Sequence, residues 1–184
     1  MVNRYTANRR MRHDDAYTPD GRHGMRPDYP SIVYSKILKQ LFPDVPVVLG
    51  GIEASLRRLT HYDYWEDKLK KCILCESGAD IILYGMGEKN TLQLCRELES
   101  GRSIKDVKDI PQTVYLAKKE DIPGGISDTD IVLHSHEECL RNKKAQAENF
   151  RHIEEESNKM HAQRLIQGVD HQFAVVNPPY PPMT

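Results

Sequence analysis

The sequence predicts an α/β fold: a parallel sheet with flanking helices, followed by a long charged helix and a C-terminal β-hairpin. Two observations carry this. A short apolar strand that ends in glycine and feeds a helix occurs twice, as "VPVVLGGIEASLRRL" and as "ADIILYGMGEKNTLQLCRELESG"; strands joined through helices pair in parallel by right-handed crossovers. The length, 184 residues, suits one domain with a hydrophobic core and is short for two.

Residues 1–29 mix Arg, His, Asp and Gly with isolated tyrosines and keep no period, which predicts an extended arm. The α/β domain is expected over residues 30–177. From Pro30, the positions Val33, Tyr34, Ile37, Leu38 and Leu41 share one helical face until "FPDVP" stops the helix. Val45 to Leu49 reads as a buried strand closed by Gly50 and Gly51, and Glu53 suits the first turn of the next helix. Asp63 and Glu66 resemble a capping box that opens a helix through "YWEDKLKKCILCES", with Gly78 as its stop. "ADIILYG" is the second strand, and its helix carries Thr91, Leu92, Cys95 and Leu98 on one stripe. Beyond Gly101, "QTVYLAK" and "DIVLHS" suit further strands, and Glu137 to Met160 reads as a long helix with a thin apolar stripe. "RLIQGVDHQFAVVN" predicts a hairpin around Gly168 to Asp170, and residues 178–184 a stiff proline-rich linker.

Lys and Arg total 26 against 27 Asp and Glu, so the net charge of −1 gives no global attraction to nucleic acid or anionic membranes. No run approaches the roughly 18 apolar residues of a membrane span, and the opening residues lack the apolar stretch of a secretory signal. The expected location is the cytoplasm, with the four cysteines kept as thiols. With glycine counted in place of tyrosine the apolar share is about 40%, below the roughly 45 to 50% of globular domains. That shortfall implies either a poorly buried segment or surface normally covered by a partner outside this chain.

Ligands of open α/β sheets sit beyond the carboxyl ends of the strands. Gly50, Gly51 and Glu53 on the first turn should therefore face one crevice with Gly85, Met86, Gly87 and Glu88 on the second. Glycines let a ligand approach the backbone, and helix amides could receive a phosphate. Glu53 and Glu88 compete for those amides, which favours a neutral ligand or a protein face. "GMGEKN" also lacks the third glycine of a dinucleotide fingerprint. In "RRLTHYDYWED", Arg57 and Arg58 are candidate polar contacts, and His61 with Asp63 could be an acid–base pair. The plainer reading makes Asp63 a cap and Trp65 a core anchor. Arg4, Arg9, Arg10, Arg12, Arg22 and Arg26, interleaved with tyrosines, could track an RNA backbone; a flexible arm or protein interface is favoured because the whole chain is not basic.

Cys72 and Cys75 stand at metal-ligand spacing, but a zinc or iron–sulfur site needs three or four converging ligands and no second such pair occurs. Near the C-terminal end of the expected helix, the dipole raises rather than lowers a thiol pKa. The pair is therefore expected to be buried packing, with no metal site in this chain.

"MVNRYTANRRMRHDDAYTPDG", "RPDYPSIVYS", "PVVLGGIEASLRRLTHYDYWEDKL", "SGADIILYGMGE" and "VVNPPYP" together resemble the N-terminal domain of the YgiQ-type radical SAM family. The resemblance implies a longer protein, in which a 4Fe-4S cluster and S-adenosylmethionine belong to a C-terminal barrel absent here; its C-x-x-x-C-x-x-C motif does not occur in this chain. The implied role is an accessory domain that covers the barrel mouth or supplies substrate contacts, itself without catalysis or cofactor, toward an unknown substrate. The glycine turns are also similar to those of cobalamin-binding, Rossmann-like domains, although the D-x-H-x-x-G motif is absent. A binding module for cobalamin, a nucleotide or RNA is the alternative, and a free-standing enzyme using His61 and Asp63 the weakest.

Overall fold

The apolar runs that end at Gly50 and Gly85 become adjacent strands. In the computed structural model, which describes residues 5–181, these are β1 (Val48–Leu49) and β4 (Ile81–Leu83), paired in parallel with Val48 opposite Ile81. Before β1 lies α1 (Pro30–Leu41). Between the two strands lie α2 (Gly51–Leu56), β2 (His61–Asp63), β3 (Lys68–Lys70) and α3 (Ile73–Ser77). After β4 come α4 (Glu88–Glu99), β5 (Thr113–Ala117), β6 (Ile131–Leu133), α5 (His136–Arg141), α6 (Lys143–Ser157), β7 (Leu165–Val169) and β8 (Gln172–Val176).

The result is the expected α/β fold, with a six-stranded sheet ordered β1-β4-β5-β8-β7-β6. Parallel pairing holds for β1 with β4 and for β6 with β7; the central pairs are antiparallel. β7 and β8 form the expected hairpin through a two-residue turn, Asp170–His171, where Asp170 takes the φ of 52° that such turns demand. Both faces of the sheet are covered. Ile82, Val114, Ala174 and Val176 face the main core with Ile32, Ala54, Ile73 and Leu74, whereas Ile81 and Leu83 face Leu94, Val107 and Ile110.

The structure revises several of the expectations, beginning with the buried strand over Val45 to Leu49, of which only Val48–Leu49 forms, with Val45 and Val48 exposed. The helix through residues 64–77 is absent, because the Asp63 carboxylate accepts the amides of Trp65 and Glu66 at 2.8 and 3.2 Å and closes a tight turn. The chain folds back as a β2–β3 hairpin with His61 opposite Lys70, and only α3 remains helical. The long charged helix is two: Asn142, extended at φ −136°, ends α5, and its side chain caps α6 by accepting from Lys144 N–H at 3.0 Å. On α4 the buried positions are Asn90 and Leu94, with Leu98 packed beside them, while Leu92 and Cys95 are exposed. On α1 the stripe Tyr34, Ile37, Leu38 and Leu41 faces solvent, and Ile32 and Ser35 face the core.

The arm is anchored over its described part; Arg4 lies outside the described residues. Bridges join Tyr5 to Met11 and Asp14 to Arg22, and Arg26 clasps Asp15 with two hydrogen bonds of 2.6 and 2.8 Å. Trp65 is only half-buried, stacked between Tyr5 and Tyr64 at centroid distances of 5.2 and 5.7 Å. Arg9 bonds the Tyr64 carbonyl and lies over its ring, and Arg12 donates to the Tyr5 carbonyl at 3.1 Å. These arginines of the proposed RNA track are thus engaged within the fold.

Candidate functional site

β1 and β4 run in parallel, so their carboxyl ends deliver two glycine turns to one side of the sheet. The turns meet: Gly85 N–H donates to Ser55 Oγ on α2 at 3.1 Å, and a Cβ on Gly50 would stand 3.6 Å from the Leu83 carbonyl oxygen. Gly51 at φ 77° and Gly85 at φ 68° occupy the left-handed region that favours glycine. The Gly50–Gly51 and Gly85 turns therefore stand side by side at the carboxyl ends of β1 and β4.

Arg58 joins them. Its guanidinium lies 5.0 Å from the centroid of the Tyr84 ring, donates to the Ser55 carbonyl, and keeps a buried Nε without a hydrogen-bond partner. Burial pulls the Arg58 pKa downward and pushes that of Tyr84 up to about 12. The space beside them measures about 180 Å³ and is bounded by Glu156, Gln163, Asn177 and Pro178. That is below the roughly 300 to 1,000 Å³ of small-molecule pockets.

Arg57, Glu53 and His61 belong elsewhere. Arg57 lies 3.3 Å from Glu53 and 3.8 Å from the buried Asp63, and its guanidinium sits 5.3 Å from the Tyr29 ring centroid. Glu53 accepts from Ser31 at 2.7 Å, so its carboxylate is turned toward α1 and away from the crevice. His61 Nδ1 meets the Leu59 carbonyl at 3.1 Å, while Nε2 is buried without a partner. Burial holds the His61 pKa below the usual histidine range. No His61–Asp63 hydrogen bond forms, because Asp63 is occupied by Trp65, Glu66 and the Tyr29 hydroxyl, the last at 2.9 Å. Glu88 is exposed at the start of α4.

The sequence reading missed the residues that shape the rim. Gln112 Nε2 donates to the carbonyls of Tyr84 and Met86, both at 2.7 Å, and the Gln112 carbonyl accepts from Asn90 Nδ2 at 2.9 Å. Asn177 Nδ2 reaches the carbonyls of Lys108 and Ile110, both at 2.9 Å, and Tyr84 Oη donates to the Asn177 carbonyl at 2.6 Å. Tyr180 Oη donates to Gln93 at 2.7 Å, so the proline-rich exit is laid along this edge. A buried Asn in the first turn of a helix was the one available signal; Gln112 had none.

Cys72 and Cys75 share one turn, Cys95 is exposed on α4, and buried Cys139 receives a hydrogen bond from Asn149. Among the described residues no three His, Cys, Asp or Glu gather as a metal group. Asp170, in the β7–β8 turn, is bound by Lys71 at 2.6 and 2.7 Å. No helix of the described residues is long and apolar enough to cross a membrane.

Fold and site define an α/β domain in which two glycine turns meet at the carboxyl ends of parallel strands, with no assembled acid–base pair among the described candidates. The Radical SAM N-terminal family model matches residues 1–184, and the chain belongs to that family. Similar curated proteins include UPF0313 proteins of Bacteroides thetaiotaomicron, 59% identical over 195 residues, Porphyromonas gingivalis, 57% over 184, and Geobacter sulfurreducens, 43% over 184. Each match covers 100% of this chain but 31%, 29% and 30% of the relative, so the chain spans less than a third of their length. No solved structure matches it.

Proposed function

We propose that this is an accessory domain of a radical SAM protein, packed against the remaining polypeptide and covering, or supplying substrate contacts to, a barrel that holds the 4Fe-4S cluster and S-adenosylmethionine. One observation carries the reading: apolar side chains stand in solvent at the two places where further protein would add. At the crevice rim Ile52, Leu56 and Met86 are 76%, 68% and 71% exposed. At the sheet edge, β1 is two residues long with Val48 exposed, and the apolar stripe of α1 is uncovered. Burying each such side chain is worth roughly 1.5 to 3 kcal/mol, and an exposed patch of this kind marks an interaction face. The relatives contain the extra polypeptide to cover it.

A protein face also suits the electrostatics, since exposed Glu88 repels anions from the α4 end while the buried Arg58 offers one cationic contact. The small volume of the space beside Arg58 favours this reading over a cobalamin or nucleotide module. The test uses a full-length relative in which the positions of Ile52 and Met86 are changed to Asp together. Loss of reductive S-adenosylmethionine cleavage, or a barrel that becomes separable by limited proteolysis while this domain stays folded, is expected. Unchanged turnover and unchanged protease resistance would overturn the reading.

A further inference from the structure

Cys72 and Cys75 do not lie where the sequence put them. With the helix through residues 64–77 replaced by the β2–β3 hairpin, the pair closes a turn in which Cys75 N–H donates to the Cys72 carbonyl at 3.0 Å. A hydrogen-bonded four-residue turn brings its end Cα atoms within about 7 Å, inside the reach of a disulfide. The neighbouring Cys75 and burial push the Cys72 thiol up, while the neighbouring Cys72 pulls Cys75 down against the effect of burial. Their surroundings differ sharply. Cys72 is 1% exposed within the core. Cys75 is half-buried and lines an open cleft of about 800 Å³ with Tyr29, Lys36, Lys39, Lys70 and Glu76. A sulfur that lines an open cleft, within disulfide reach of a sheltered one, is the arrangement of a reactive dithiol.

We propose that Cys72 and Cys75 form a reversible dithiol–disulfide couple, with Cys75 attacking, Cys72 resolving, and a low-molecular-weight disulfide entering the cleft as oxidant. The Cys75 thiolate attacks one sulfur of R–S–S–R, forms a mixed disulfide and expels RS⁻, which takes up the proton that Cys75 released. Cys72 then loses its proton and attacks Cys75 Sγ, and the second RS⁻ leaves and is protonated. Two electrons pass from the dithiol to the small disulfide, giving one intramolecular disulfide and two molecules of RSH. This couple is independent of the docking role proposed above.

The experiment equilibrates this chain in glutathione and glutathione disulfide mixtures, quenches it with an alkylating agent and maps the cysteine peptides by mass spectrometry. Cys72 and Cys75 are expected to disappear together from the alkylated pool as one linked peptide, at mixtures that leave exposed Cys95 alkylated. In Cys72→Ser, Cys75 is expected to accumulate as the glutathione mixed disulfide, and in the unsubstituted chain its iodoacetamide rate at neutral pH is expected to exceed that of Cys95. Cys72 and Cys75 still alkylated where Cys95 is already glutathionylated would overturn the proposal. So would a Cys75 rate no greater than that of Cys95. The wild-type titration decides the matter even if the variant fails to fold.

Discussion

Gln112 holds the crevice turn open around Gly85: its Nε2 lies 2.8 Å from the point where a Cβ on Gly85 would stand, while donating to the carbonyls on both sides of that glycine. Gly85→Ala meets two penalties, the left-handed φ of 68° and the displaced amide. A loss of about 2 kcal/mol in urea unfolding is expected. Gly50→Ala is the control. Its backbone is extended at φ −148° and its nearest neighbour is 3.6 Å away, so stability should barely change.

Asp63 should govern acid stability. Burial pushes its carboxyl pKa up, but bonds from Glu66 N–H, the Tyr29 hydroxyl and Trp65 N–H, with Arg57 nearby, bring it below the usual carboxylate range. A depressed folded pKa contributes stability above the unfolded value near 3.9, and that stability is lost as pH falls through the folded pKa. Asp63→Asn is expected to cost about 2 kcal/mol at neutral pH and to flatten the acid limb of a stability profile.

His61 acts in a higher window. Burial lowers its pKa, as it does for His136, so the unfolded chain binds these protons first. Stability therefore falls as pH drops from above the ordinary value of about 6.5 toward the lower folded values. Denaturant midpoints measured between neutral and mildly acidic pH should show this slope, and His61→Gln should reduce it.

Asn177 fastens the end of β8. Its Nδ2 serves the carbonyls of Lys108 and Ile110 and, at 3.0 Å, Thr113 Oγ1. Asn177→Ala strands these buried acceptors and should cost about 2 kcal/mol. Limited proteolysis should then cut sooner near Pro178 and Tyr180, which that anchor holds against the rim.

The strands were legible because their sequences are nearly continuous apolar runs closed by turn residues. β4, β5, β7 and β8 fall where "DIILYG", "TVYLA" and the hairpin segment put them. Gly51 and Gly85 were legible as turn residues for the same reason, since a left-handed turn after a strand leaves glycine as its mark. The settings of Arg57 and Glu53 were not legible, because their partners Asp63, Tyr29 and Ser31 stand on other elements. The β2–β3 hairpin arises from one side-chain choice: a helix cap and a tight turn use the same Asp63 acceptor, and periodicity does not separate them.

By itself the sequence determined the α/β class, the two glycine turns and the family resemblance, all local or repeated patterns that need no knowledge of distant partners. Tertiary structure decided which face of α1 is buried, where Gln112 clamps the rim, and how Cys72 and Cys75 stand. These depend on contacts between segments far apart in the chain, such as Gln112 with Tyr84 and Tyr29 with Asp63. The pair in "KKCILC" shows the physical reason most plainly. The same two thiols are packing residues at the end of a long helix and an asymmetric dithiol at the start of a short one, and only the Asp63 turn determines which.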